Sequence, residues 1–162
     1  MIGKMVRILF VCHGNICRSP MAEYIMKDIV KKEGLADQFR IASAATSTEE
    51  IWNGTGSPIY GPAQRTMQRH GIPYDKNKRA RLLEKQDYGR FDLIIGMDER
   101  NRRNMKRMLG GDPDGKVNLL MDYTDHPREV SDPWYTGNFE RAWDDIREGC
   151  EALFRYLLEN GL

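Results

Sequence analysis

Short apolar runs alternate with longer segments of helical periodicity along this chain. Four runs rich in β-branched and aliphatic residues predict buried strands at 6–11, 39–44, 91–97 and 117–121. Between them, apolar spacing and helix start and stop residues predict helices at 19–32, 58–70, about 82–88 and 98–109. A last apolar stripe predicts one long amphipathic helix; it consists of Phe139, Trp143, Ile146, Cys150, Leu153 and Leu157.

The alternation of strands and helices predicts an α/β fold. Four strands in this order imply a four-stranded parallel sheet with helices on both faces. Ligands of such sheets bind beyond the carboxyl ends of the strands, near a switch point in strand order. A length of 162 residues favours a single domain over 1–162. Two stretches without a predicted element, 45–56 and 123–137, are long enough to be functional or mobile loops.

Composition excludes several classes of protein. Hydrophobic residues make up 40%, charged residues 30%, and the net charge is +1, which gives no case for a nucleic-acid or membrane partner. No apolar run approaches the ~20 residues of a membrane span. The first ten residues resemble a strand rather than a signal peptide. Three cysteines favour the reducing cytoplasm over a disulfide framework, although secretion without a signal peptide stays open.

The segment between the first strand and the first helix carries the chemistry. Residues 12–20 read CHGNICRSP, so a cysteine and an arginine are separated by five residues. The amides of such a loop and the helix N-terminus form an anion site, to which Arg18 adds a planar fork for two phosphate oxygens. Cys12 would lie at the bottom of this electropositive site, where a thiolate is favoured. Ser19 is expected to cap the helix and to donate a hydrogen bond to this thiolate.

A thiolate that attacks a phosphate monoester needs an acid to protonate the leaving oxygen. Asp132 is the first candidate, because it lies in a long loop next to a stiffening proline and two aromatic residues. The residues alone leave alternatives open: an ordinary Asp-Pro turn, or another loop carboxylate such as Asp122 or Asp125.

Together these motifs resemble the low-molecular-weight protein tyrosine phosphatases, over essentially the whole chain. Residues 12–23 look like the signature of that family, and Asp132-Pro133 resembles its general-acid loop. Other landmarks of the family match at Ser43, His70-Gly71-Ile72, Phe91-Asp92 and Met97-Asp98.

The resemblance implies a two-step hydrolysis of phosphotyrosine in a protein or peptide. Cys12 would attack phosphorus while Asp132 protonates the phenolic oxygen, and Asp132 would then activate water to release phosphate. The loop and Arg18 would stabilise the transferring group, with no metal and no cofactor. The implied phosphate-binding residues are His13, Gly14, Asn15, Ile16, Cys17 and Arg18.

The resemblance also implies roles around the loop. The residues that would hold the loop rigid are Asn15, Ser19, Ser43 and His70, with Asn15 as the partner of a buried His70 imidazole. Cys17 would form a reversible disulfide with Cys12, whereas Cys150 is expected only to be buried. The residues of the substrate rim would be His13, Trp52, Trp134 and Tyr135.

Rival functions fit the sequence less well, and a monomer is the expected state. A thiol-dependent arsenate reductase needs further cysteines, and 41–149 contains none. Arginine phosphatases of the family carry threonine where this chain has Ile16, which favours phosphotyrosine. A phosphotyrosine-binding module without activity would be expected to lack Cys12, Arg18 or Asp132. The basic stretches 76–81 and 100–107 are expected to be solvated faces, or a mildly positive surface that attracts an anionic substrate.

Overall fold

A computed structural model describes residues 4–161 and contains six strands. They are β1 (Val6–Cys12), β2 (Phe39–Ala45), β3 (Ile51–Trp52), β4 (Thr55–Gly56), β5 (Leu93–Gly96) and β6 (Val117–Leu119). Four of them form a parallel sheet in the order β2-β1-β5-β6, which confirms the predicted α/β architecture. Met1 to Gly3, part of the predicted strand-like start, and Leu162 lie outside the described residues.

Six α-helices accompany the strands. They are α1 (Arg18–Lys32), α2 (Gly61–Arg69), α3 (Asp87–Arg90), α4 (Glu99–Leu109), α5 (Pro133–Thr136) and α6 (Phe139–Glu159). The predicted helix at 82–88 is wrong in its first part, because this segment runs beside β2: Ala45 N–H donates to the Arg81 carbonyl and Leu83 N–H to the Ala45 carbonyl. Among residues 4–161, no helix combines the length and apolarity that crossing a membrane requires.

Strand β1 is buried on both of its faces. Ile8 and Phe10 point into one hydrophobic cluster, which includes α1 and α6, whereas Leu9 and Val11 point into another, which includes α4. All four side chains are fully buried, and each such burial stabilises the fold by roughly 1.5–3 kcal/mol. The central strand is therefore held firmly, and its carboxyl end is a rigid platform for the loop that follows.

The stretch predicted as a structureless loop at 45–56 contains the hairpin of β3 and β4. Its turn residues Asn53 and Gly54 both have positive φ, 50° and 79°, as a two-residue hairpin turn requires. Gly56 lies so close to the backbone of Ala80 that a β-carbon there would be 1.9 Å from the Ala80 carbonyl oxygen. This close approach fixes the hairpin against the segment beside β2.

The helix starts differ in how they are capped. Asp98 caps α4, because its Oδ1 accepts from Asn101 N–H at 2.7 Å while Asn101 Oδ1 accepts from Asp98 N–H at 3.2 Å. The prediction that Ser19 caps α1 is wrong: the N-cap position is Cys17, and Ser19 is the second residue of the helix. The Ser19 hydroxyl instead contacts Cys12 and Asn15.

Candidate active site

Cys12 ends β1 at the carboxyl edge of the sheet and lies at the bottom of a cleft. Two bonds hold the backbone there: Thr46 N–H donates to the Cys12 carbonyl and Ser47 N–H to the His13 carbonyl, both at 3.0 Å. The Cys12 side chain is 3% exposed, so only its cleft side can be reached. The nucleophile candidate is thus fixed by two neighbouring strand ends.

The loop at 13–17 leaves its amides available. Carbonyls of this loop accept bonds from Ser47, Tyr60 and Met21 N–H groups. Within 4–161, by contrast, no protein acceptor bonds the N–H groups of residues 13–18. Successive amides of this kind at the N-terminus of a helix, here α1, form an anion site.

Two groups of Ser19 face the Cys12 sulfur. Ser19 Oγ is 3.1 Å from Cys12 Sγ, and Ser19 N–H donates to the same sulfur at 3.4 Å. Hydrogen bonds to the charged form of an acid favour that form, and the N-terminus of α1 adds a positive partial charge. Ser19 therefore holds the Cys12 sulfur at the N-terminus of α1, a position that stabilises negative charge.

Asn15 is the centre of the loop's buried hydrogen bonds. Its φ is 59°, and it is 1% exposed. Its Nδ2 donates to Ser19 Oγ at 2.8 Å and to Ser43 Oγ at 2.9 Å. Its Oδ1 accepts from Arg81 N–H at 3.1 Å and from Lys78 Nζ at 3.4 Å. One side chain thus joins the loop to α1, to β2 and to the segment beside β2.

A buried ion pair lies behind Asn15 and was missed by the sequence analysis. Ser43 Oγ donates to Glu23 Oε1 at 2.5 Å, and Lys27 Nζ donates to Glu23 Oε2 at 2.7 Å. Lys78 Nζ is 3.8 Å from Glu23. Burial lowers the pKa of Lys78 from its ordinary value, although Glu23 opposes this effect. The four-residue spacing of Ser19, Glu23 and Lys27 on one helix face is the sequence signal that could have found part of this network.

His70 does not hold the loop, which corrects the expectation from the resemblance. Its Nε2 bonds to Glu140 Oε1 at 2.8 Å, and its ring stacks on Trp143 with centroids 4.6 Å apart. Arg69 and His70 together lower the pKa of Glu140. His70 therefore fastens α2 to α6, and Lys78 and the Arg81 amide occupy the place beside Asn15 that was expected for it.

Arg18 begins α1 and is almost fully buried, at 2% exposure. Its Nη1 donates to Asp98 Oδ2 at 2.8 Å and to the Val130 carbonyl at 2.7 Å. Burial opposes the charge, but the neighbouring Cys12, Asp132 and Asp98 outweigh it and raise the pKa of Arg18. Arg18 is therefore a fixed cation on the wall of the cleft.

Asp132 lines the same cleft. It caps the short helix α5 through Oδ1, which accepts from Trp134 N–H at 3.0 Å, while Oδ2 accepts from Arg18 Nη2 at 3.5 Å. Of the alternative carboxylates, Asp122 binds Arg102 and the Leu119 amide, and neither Asp122 nor Asp125 lines the cleft. The structure thus brings Asp132 to the nucleophile and leaves the other two away from it.

Aromatic and acidic side chains form the mouth of the cleft. Trp134 and Tyr135 line it, and the Trp134 ring packs on Tyr60 with centroids 4.9 Å apart. Trp52 is 72% exposed at the hairpin turn and is not among the residues that line the cleft, so its place on the substrate rim stays a prediction. Two acids that the sequence analysis did not single out, Glu49 and Glu50, line it instead.

Cys17 and Cys150 are buried thiols, and neither forms a disulfide. Burial, followed by the neighbouring Cys12 and Asp132, raises the pKa of Cys17 above its ordinary value. Burial likewise raises the pKa of Cys150, which lies in the core as expected. Cys17 also lines the cleft. In the part of the chain that the structure describes, no group of three or more His, Cys, Asp or Glu side chains is placed to hold a metal ion.

Comparison with known proteins gives a uniform picture. Residues 7–161 match the model of the low molecular weight phosphotyrosine protein phosphatase family. The chain is 40% identical over 151 residues to the low molecular weight protein-tyrosine-phosphatase YfkJ of Bacillus subtilis, covering 92% of this chain and 94% of that protein. It is 38% identical over 159 residues to the low molecular weight phosphotyrosine protein phosphatase of Gallus gallus, covering 97% and 96%.

Solved structures agree with these relatives. The crystal structure of YfkJ superposes with a TM-score of 0.91 at 37% identity and covers 100% of both chains. A Drosophila arginine phosphatase superposes with a TM-score of 0.81 at 30% identity, covering 93% of this chain and 96% of that one.

Proposed function

The chain belongs to the low molecular weight phosphotyrosine protein phosphatase family and is a phosphatase enzyme of that type, and on this premise we propose that it hydrolyses phosphotyrosine through a cysteinyl-phosphate. One observation carries the proposal. Cys12, Arg18 and Asp132 line one cleft, although Arg18 and Asp132 are 114 positions apart in sequence. A nucleophile, a cation and a carboxylate at one point are what transfer of a phosphoryl group to sulfur requires.

In the first step the Cys12 thiolate attacks phosphorus. A sulfur–phosphorus bond forms, the bond from phosphorus to the phenolic oxygen breaks, and its electron pair stays on that oxygen. Protonated Asp132 supplies the proton that makes the leaving group a neutral phenol. Ser19, which contacts the sulfur through both Oγ and N–H, stabilises the thiolate before attack and again when it is released.

In the second step a water molecule hydrolyses the intermediate. The Asp132 carboxylate takes a proton from water, the water oxygen bonds to phosphorus, and the sulfur–phosphorus bond breaks. Inorganic phosphate leaves, Cys12 is a thiolate again, and Asp132 is protonated again. The same carboxyl group thus acts first as acid and then as base.

The positive field comes from the protein itself. Arg18 Nη1 is engaged with Asp98 and Val130, and Nη2 gives one N–H to Asp132. Nε and the second N–H of Nη2 are therefore the donors that can bind two phosphate oxygens. Together with these donors, the amides of residues 13–18 bind the three equatorial oxygens of the phosphoryl group, where the charge of the transition state lies. This chemistry uses no metal and no cofactor.

Phosphotyrosine is the substrate that the wall of the cleft favours. Ile16 lines the cleft with Trp134 and Tyr135, and an apolar wall suits an aromatic ring. The structural similarity to an arginine phosphatase makes phosphoarginine the alternative to test. We further propose that residues 1–162 form a single domain. It would act as a monomer in the cytoplasm on phosphotyrosine proteins or peptides.

The test compares turnover of a phosphotyrosine peptide by the parent enzyme, Cys12→Ser and Asp132→Ala, with Asp125→Ala as the matched control. We expect no turnover by Cys12→Ser and a loss of roughly 10²- to 10⁴-fold for Asp132→Ala. Asp125 lies away from the cleft, so its removal is expected to leave the rate at the parent level. Full activity of Cys12→Ser would contradict the nucleophile assignment, and faster release of phosphate from phosphoarginine peptides would contradict the substrate.

A further inference from the structure

The mouth of the cleft carries an excess of negative charge. Glu49 and Glu50 line it from the segment between β2 and β3. The Glu49 side chain is 68% exposed, so its carboxylate faces solvent at the entrance. Among the described residues that line the cleft, Arg18 is the one lysine or arginine, and it lies buried on the wall. The mildly positive surface expected from the sequence is therefore absent from the lining of the cleft.

Glu49 is held through its carboxylate, whereas Glu50 is held through its side-chain stem and its backbone. His13 Nε2 is 2.9 Å from Glu49 Oε2, and since an ionised carboxylate only accepts, Nε2 is the donor. Glu50 packs against the loop, because a β-carbon on Gly14 would lie 3.3 Å from Glu50 Cγ. The backbone of Glu50 is fixed as well, as its carbonyl accepts from Ser57 N–H at 2.7 Å. The two acids are thus positioned by the loop at 13–17, called the phosphate loop below, and by the hairpin of β3 and β4.

A phosphotyrosine side chain in the cleft brings its neighbouring peptide residues to this mouth. Repulsion between the two glutamates and the phosphate is the same for every phosphotyrosine substrate, so it cancels when substrates are compared. What differs is the charge of the residues beside the phosphotyrosine. An exposed pair of opposite charges favours binding by up to about fivefold at moderate salt, and a pair of like charges disfavours it similarly.

We propose that Glu49 and Glu50 select phosphotyrosine sites flanked by lysine or arginine, a preference that rests on the proposed phosphatase function. Trp134 and Tyr135 form the apolar part of the same mouth and contact the tyrosine ring irrespective of sequence. Arg18 and the loop amides bind the phosphate that all such substrates share. The glutamates are the lining residues that distinguish one flanking sequence from another.

The experiment uses three phosphotyrosine peptides of equal length that differ only beside the phosphotyrosine, where both neighbours are Lys, Ala or Glu. We expect kcat/KM to fall in that order, with the Lys and Glu peptides differing by about fivefold. In Glu49→Gln/Glu50→Gln the difference should shrink towards one, and in Glu49→Lys/Glu50→Lys the order should reverse. High salt should reduce the difference in the parent enzyme, because these charges are solvent-exposed.

The control is Glu33→Gln, which neutralises one carboxylate away from the cleft, as each of the two Glu→Gln changes does at its mouth. Glu33 is the C-cap of α1, whose 15 residues separate it from the cleft by roughly 22 Å. This variant should keep the parent ratio between the Lys and Glu peptides. Turnover of a small phenolic phosphate, which has no flanking residues, shows for each variant that the folded active site is present.

The outcomes separate the two proposals. Equal kcat/KM for the three peptides in an active parent enzyme would overturn the charge preference and leave the phosphatase function standing. If the parent hydrolyses none of them, the phosphatase function fails, and binding of the same peptides to Cys12→Ser still measures the preference. Tighter binding of the Glu peptide than of the Lys peptide there would also overturn it.

Discussion

Replacing Asn15 separates two contributions that this residue makes to the phosphate loop. Asn15→Gly keeps a backbone that adopts a φ of 59° without strain but removes the side-chain bonds to Ser19, Ser43 and the Arg81 amide. Asn15→Ala removes the same bonds and adds a side chain that disfavours the left-handed region. The difference between the two variants is therefore the cost of the backbone conformation.

The magnitudes follow from these contacts. Three buried hydrogen bonds, each contributing about 0.5–1.5 kcal/mol, predict that Asn15→Gly lowers the free energy of unfolding by roughly 2–4 kcal/mol. Asn15→Ala should lose about 1–2 kcal/mol more, because alanine is strained at positive φ. Asn53 offers the matched control: with φ 50° in the hairpin turn, it is the other non-glycine residue of 4–161 with positive φ. Since its side chain is exposed there, Asn53→Gly should stay within about 0.5 kcal/mol of the parent.

Urea unfolding gives the free energies by linear extrapolation. Inhibition by inorganic phosphate and kcat/KM for a phenolic phosphate report on the loop itself. We expect phosphate affinity and kcat/KM to fall in the order parent, Asn15→Gly, Asn15→Ala. Parent-like phosphate affinity in a destabilised Asn15→Gly would refute the reasoning, because Asn15 would then support the fold without shaping the loop. Equal stability of the two Asn15 variants would refute the assigned backbone cost.

Two further predictions concern oxidation and pH. After peroxide treatment the parent should regain activity with a thiol reductant, whereas Cys17→Ala should lose its activity irreversibly. The reason is that the Cys17 thiol attacks the sulfenic acid of Cys12, releases water and forms a reducible disulfide. Equal recovery of kcat by both proteins after reduction would exclude this role. Arg69 and His70 lower the pKa of Glu140, so the folded state binds that proton less tightly than the unfolded state, and the interaction stabilises the fold above the unfolded pKa of about 4.3. Glu140→Gln should therefore be less stable than the parent at pH 7 in urea unfolding, and the difference should shrink as the pH falls below about 4.3. A difference that grows on acidification would contradict the sign.

Local sequence patterns predicted the parts of the site that are local in structure. Residues 12–18 span one strand end and one helix start, and the spacing of Cys12 and Arg18 within this strand–loop–helix context was enough to predict one anion site. The position of Asp132 was different, because nothing in the physics of an Asp-Pro turn says which strand end it will meet. It came from resemblance to a family, and the contact with Arg18 across 114 positions is a property of the whole fold.

The errors have physical causes of their own. Asn53-Gly54 is a strong hairpin signal, but strands of two residues give too little alternation to be recognised. Lys78 looked like one of a run of solvated charges, since burial of a lysine depends on a partner, here Glu23, that is distant in sequence. His70 has a neighbour on another helix, Glu140, and pairing between helix surfaces cannot be read from one helix alone.

The buried guanidinium of Arg18 has a consequence for incomplete chains. Its Nη1 is bonded to the carbonyl of Val130, 112 positions away, Asp132 comes from the same segment before α5, and Asp98 directly precedes α4. A chain that ends after α4 keeps Cys12 and the phosphate loop but lacks Val130 and Asp132, two of the three residues bonded to Arg18. A buried cation that loses its partners destabilises the fold by several kcal/mol. We therefore expect a truncated product to be poorly folded rather than to be a slower enzyme. Catalysis by this protein therefore requires the last third of the chain, although the nucleophile and the phosphate loop lie near its start.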